Sequence, residues 1–128
     1  MKWKLIVSHA CLLFLAGVVV GILEIRPDPL EIRGLLVSYL LNAAALFLVE
    51  AGIYVNLAYR ASSRPWLHAG AAALLNELAA GGLFLIFFVD SFGAAWSLAV
   101  FDHVISLAAL LLGTFTGLRL RRMPRVSM

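Results

Sequence analysis

Residues 34–58 read GLLVSYLLNAAALFLVEAGIYVNLA, 25 residues that contain one acidic side chain, Glu50, and no basic one. About 20 apolar residues are enough to cross roughly 30 Å of hydrocarbon as a helix. A single segment surrounded by lipid can pair its own backbone groups only as a helix. Three other stretches have the same character, at about residues 5–23, 66–89 and 94–118. The sequence therefore predicts an all-α fold, an integral membrane four-helix bundle with short loops. It fills residues 1–128 as a single transmembrane domain.

Composition agrees with this reading. Hydrophobic residues make up 63% of the chain and charged residues 13%, with a mean hydropathy of +1.00. A soluble domain is close to half apolar and about one quarter charged. The connections carry the residues that break helices: Pro27 and Pro29, then Ser62-Ser63-Arg64-Pro65, then Asp90-Ser91-Phe92-Gly93. Lys2 and Lys4 ahead of an apolar run resemble a secretory signal, but no clear small-x-small cleavage site follows. The residues before Cys11 do not suit a lipoprotein signal either, so segment one is read as a retained first helix. As the sole cysteine, Cys11 excludes an internal disulfide and is read as a small apolar helix residue.

Charge sets the expected orientation. Lys2, Lys4, Arg60, Arg64, Arg119, Arg121, Arg122 and Arg125 fall on one side, against Arg26 and Arg33 on the other. Eight against two places both termini in the cytoplasm (N-in, C-in) by the positive-inside rule, in what reads as a bacterial inner (plasma) membrane. Trp3, Tyr59, Trp66 and Trp96 near segment ends fit interfacial anchoring. The basic residues sit at segment ends, so the net charge of +3 is read as a topology signal and not as a nucleic-acid footprint.

Ionisable residues inside the segments carry the functional expectation. His9 lies in the first, Glu50 in the second, Glu77 in the third and the pair Asp102-His103 in the fourth. A charge at the bilayer centre costs roughly 2.5–3.5 kcal/mol on insertion scales, so such groups usually face a partner, a cavity or a solute. In segment four, Ala95, Ala99, Asp102, Ser106, Ala109, Gly113 and Thr116 share a face, and in segment three Gly70, Ala73, Glu77, Ala80 and Gly81 do. Small residues let helix backbones approach closely, which predicts that Glu77 and Asp102 pack against protein. Gly17 and Gly21 in segment one match the GxxxG spacing. In segment two, Tyr39, Ala43, Phe47, Glu50 and Tyr54 form one face, with Asn42 beside it.

At 1.5 Å per residue, Glu77 is near the midplane. His9 and Glu50 fall roughly 6 Å to its cytoplasmic side, and Asp102 roughly 6 Å to the outer side. His103 lies slightly nearer the middle. A ladder of this kind suits a proton or cation path. The expected binding residues for an ion or substrate are Glu50, Glu77, Asp102, His9 and His103, with Asn76, Tyr54 and Asn42 as polar lining. No metal site and no cofactor is expected. A haem held by His9 and His103 within one chain is disfavoured by a depth difference of about 10 Å.

The leading expectation is proton-linked transport or conduction of a small ion or hydrophobic solute. One alternative is an intramembrane enzyme on an isoprenoid, sterol or quinone, with a buried carboxylic acid as proton donor and His9 or His103 as base. A further alternative is an accessory subunit or anchor of a larger membrane complex. The catalytic assignment is unknown, since no nucleophile motif, metal-binding repeat or phosphate loop is present. Membrane lipid is the surrounding partner, and the small volume of one chain favours a homo-oligomer or larger assembly.

Overall fold

Small residues decide how these helices meet. A computed structural model of the protein describes residues 2–23, 32–87 and 96–123. Among these residues the structure is all-helical, with α1 (Trp3–Ile22), α2 (Ile32–Arg60), α3 (Pro65–Phe87) and α4 (Trp96–Arg122). By length and composition, the stretches Trp3–Ile22, Arg33–Arg60 and Val100–Arg122 among the described residues are apolar enough to cross a membrane. The expected breaks at Pro27, Pro29 and 90–93 lie outside the described residues, as does Arg125.

α4 continues to Arg122, past the expected end near residue 118. Arginine is a good helix former, and cations in a last turn complement the partial negative charge of the helix end. Arg121 also donates from Nη2 to Ser62 O at 3.0 Å and from Nη1 to Ala61 O. Those carbonyls follow the end of α2, where backbone acceptors lose their intrahelical donors. One side chain thus caps α2 from α4.

The α4–α2 contact is the tightest in the molecule. A Cβ at Gly113 would lie 2.6 Å from Ala51 O and 2.8 Å from Tyr54 Cβ. One at Gly117 would collide with Val55 O and lie 2.8 Å from Ala58 Cβ. The two backbones touch because neither position carries a side chain. The contacts rise together in number along both chains, so α2 and α4 run parallel. α1 and α3 form a second parallel pair, joined at their starts by His68.

That histidine is buried in the first turn of α3, which opens with Pro65 at a position where a missing N–H costs nothing. Its Nδ1 donates to Arg64 O at 3.0 Å, and its Nε2 accepts the Lys2 backbone N–H at 3.2 Å. His68 thus ties the start of α1 to the start of α3. Arg64 itself adopts the left-handed region at φ 49°, which turns the chain into Pro65.

The packed core sits at this same end, built from Ile6, Ala10, Leu13, Tyr54, Leu57 and Ala69. Inside residues are mostly small, whereas large apolar side chains point outward. Ile22 is 77% exposed, Leu48 68%, Leu78 64% and Ile86 72%. The GxxxG match at Gly17 and Gly21 makes no close helix contact, since a Cβ at either position meets nothing within 4 Å. Spacing alone could not tell it from the pair at Gly113 and Gly117, which does the work.

A paired substitution tests this. Gly113→Ala is expected to lower stability by about 1–3 kcal/mol, the usual range for forcing atoms into a filled contact. Gly21→Ala is expected to leave it unchanged or slightly raised. Thermal unfolding in detergent or lipid reads both, and equal effects would refute the assignment of the contact.

Candidate functional site

Beyond Leu13 and Glu50, on the side away from residues 61–64, the helices part and leave a cleft of about 390 Å³. All four helices contribute: Phe14 and Gly17 from α1, Leu46 and Glu50 from α2, Asn76 and Glu77 from α3, Ser106 from α4. Helical spacing puts Tyr39, Ala43, Phe47, Glu50 and Tyr54 on one inward face of α2. All five are at least half-buried.

Glu50 lies at the closed end of the cleft and is 5% exposed. Its Oε2 has no hydrogen-bond partner. Ser106 stands beside the same carboxyl, and Glu77 and Asp102 are close enough to act on it electrostatically. A buried acceptor left unpaired costs about 1–3 kcal/mol, so this oxygen is an open valence that a proton, a donor or a cation would fill.

Glu77 is half-buried and has two neighbourhoods. It lines the cleft, and its Oε2 lies 3.0 Å from Nε2 of His103. That contact is an ion pair when the imidazole is protonated and a hydrogen bond when it is neutral. The sequence places these residues at slightly different depths, whereas the structure brings them into direct contact across α3 and α4.

Asp102 is not enclosed. Within the single chain its small-residue face does not bury it: Asp102 and Thr116 are exposed while Ala109, Gly113 and Gly117 are buried. The side chains of Ala95 and Ala99 lie outside the description. The tight face of α4 follows Gly113 and Gly117, which turns Asp102 towards the rim. There the Tyr39 hydroxyl donates to Asp102 Oδ1 at 3.4 Å, and the Tyr39 ring stacks at 5.4 Å from that of Phe101. The expected packing of α3 through Gly70, Ala80 and Gly81 is corrected likewise. All three are exposed, and Ala69 and Ala72 are buried in their place.

His9 and Tyr54 are buried below the cleft, and neither lines it. His9 Nδ1 lies 2.8 Å from Leu5 O, to which it donates, which leaves Nε2 as a buried acceptor without a partner. Asn42 is half-buried on α2 and is also engaged in an interaction. The cleft thus joins Glu50, Glu77 and Asn76, with His103 one contact behind. His9, Tyr54, Asn42 and Asp102 lie around it. Ser106 was legible only as a small residue on the α4 face, and its place beside Glu50 follows from the register that Gly113 sets. Among the described residues, no three His, Cys, Asp or Glu side chains converge as metal ligands.

Comparison of the chain with protein-family models, curated proteins and solved structures finds no match.

The open valence on Glu50 gives a direct test of its purpose. A carboxyl kept to tie helices together would lose stability on replacement by an apolar side chain. A carboxyl kept for a ligand would not, since exchanging a buried ionisable group for an apolar one of similar size is often neutral or stabilising. Glu50→Met is expected to hold or raise the unfolding temperature. A marked fall would identify Glu50 as a structural tie.

Proposed function

We propose that this chain is an integral membrane protein with four spans and both termini in the cytoplasm, and that it exchanges protons for a small ion or solute at Glu50 and Glu77. The observation that carries the reading is the buried Glu50 carboxyl, unpaired at Oε2 and facing the same cleft as Glu77.

The outer surface supports the membrane reading. Large apolar side chains face outward from every helix, while glycine and alanine fill the contacts, the reverse of a soluble bundle and the usual pattern in lipid. α3 carries Asn76 and Glu77 mid-length, and both line the cleft, as expected of a spanning helix that turns its polar groups to a cavity. With seven basic residues at the packed end among the described residues, the cleft belongs to the outer half of the bilayer and the core to the cytoplasmic half.

Transport fits better than chemistry on a lipid-soluble substrate. General acid–base catalysis needs donor and acceptor within reach of the same reacting atoms. His9 and His103, the candidate bases, do not line the cleft.

Two measurements test the proposal. Protein reconstituted in liposomes with an internal pH dye is expected to move protons when a gradient of a small inorganic or organic cation is imposed. Glu77→Gln and Glu50→Gln are each expected to lose most of that flux, and unchanged flux in Glu77→Gln would sink the exchange reading. For orientation, a C-terminal fluorescent-protein fusion is expected to be bright in cells and a C-terminal alkaline phosphatase fusion inactive, and the opposite result would reverse the topology.

A further inference from the structure

We propose that the cleft takes a monovalent organic amine with a compact apolar body, its ammonium group against Glu50 and its body between Phe14, Leu46 and Leu83. This rests on the exchange reading above and names the class of solute.

Charge sets the valence. Glu77 already has His103 Nε2 at 3.0 Å, and with that imidazole protonated the pair is neutral. Of the two carboxyls that line the cleft, Glu50 is then the one whose charge is left to be matched. A dication would bring one positive charge more than the lining carboxyls match, and an uncompensated charge against apolar walls is costly.

Volume and lining set the body. The cleft holds about 390 Å³, whereas one water-sized occupant fills about 30 Å³. A bare ion at Glu50 would therefore leave most of the space empty. That space is walled by Leu13, Phe14, Val18, Leu46, Ala80 and Leu83, which offer contact to carbon and nothing to a hydrated ion. The size is at the small end of the roughly 300–1,000 Å³ range of small-molecule clefts, which suits one ring or a short chain.

Donor chemistry sets the head group. The unpaired Oε2 of Glu50 is an acceptor that needs an N–H or O–H, and Asn76 and Ser106 are side chains of the same cleft that can accept as well as donate. An ammonium has three donors and matches such a set. A quaternary ammonium has none, and a carboxylate or sulfonate would face two carboxyls. Gly17 completes the shape: a Cβ there meets nothing within 4 Å, so the wall is open at that point.

Equilibrium dialysis against protein in lipid nanodiscs, with empty nanodiscs as the blank, tests the assignment. The probe is 2-phenylethylammonium, compared with 2-phenylethanol, 3-phenylpropionate and potassium chloride. The amine is expected to bind saturably, one per chain, more tightly than the alcohol or the acid, and without displacement by equimolar potassium. Glu50→Gln is expected to weaken it by roughly ten- to hundredfold, the range for losing one charge-assisted hydrogen bond. Glu50→Asp is expected to retain part of the affinity. Gly17→Leu fills the cleft and is expected to abolish binding while circular dichroism and the unfolding temperature remain those of the parent.

Equal binding of alcohol or acid, one-for-one displacement by potassium, or parental affinity in both Glu50→Gln and Gly17→Leu would overturn the amine assignment. Flux separates the two readings. Proton exchange without amine binding would remove this inference and keep transport. Amine binding without any flux would keep the site and remove transport.

Discussion

The backbone contact between α4 and α2 at Gly113 and Gly117 is the constraint on which the rest depends. It admits no side chain at either position, so it fixes both how near the helices come and their register. From that register follow Ser106 beside Glu50, Tyr39 beside Asp102, and Arg121 under the end of α2. A shift of one residue along α4 would turn each of these side chains by about 100° around the helix axis and dissolve all three relations. The cleft is then the space that remains where α1 and α3 cannot follow the same close approach.

Energetics distinguish the buried polar groups from one another. His68 is satisfied at both ring nitrogens, and it serves to hold two helix starts together. Glu50 and His9 each keep one buried atom without a partner. Unmet acceptors of this kind are costly, and an apolar residue of similar volume would avoid the cost. Glu50 also faces a cavity, whereas His9 lies in packed surroundings below it. The same deficit therefore points to a ligand at one position and to tight packing at the other.

Much of the architecture was legible in the chain. Hydrophobic length gave four helices near their observed places, and the Pro65 junction fell where the second connection was expected. The inward face of α2 followed from its spacing, because Tyr39, Glu50 and Tyr54 stand on a helix whose large exposed side chains are chiefly Leu and Val. Helix three and helix four were harder. Both are so rich in Ala and Gly that several faces look equally suited to close packing, and the chosen face of α4 was one residue out, at Thr116 in place of Gly117. That small rotation is why Asp102, expected inside the bundle or at a subunit contact, lies at the rim of the single chain. Neither could periodicity select between two GxxxG pairs, since the decision belongs to the partner surface. The meeting of Glu77 with His103 was hidden for a related reason: depth along a helix can be counted, but the neighbour across a gap cannot.

Directed contacts and undirected ones divide the molecule in a consistent way. The Lys2–His68 bond lies within the α1/α3 pair. The glycine contacts, the Tyr39–Asp102 bond and the Arg121 cap lie within the α2/α4 pair. Between the pairs, at the packed end, the core is chiefly apolar contact through Ile6, Leu13, Leu57 and Ala69, which resists separation but has no preferred register. Each pair is thus stiff and the seam between them comparatively compliant. Glu50 belongs to one pair and Glu77 to the other, so the two carboxyls face each other across that seam, and His103 reaches over it to Glu77. A change in the charge or occupancy of the cleft therefore acts on the seam that the Glu77–His103 contact crosses.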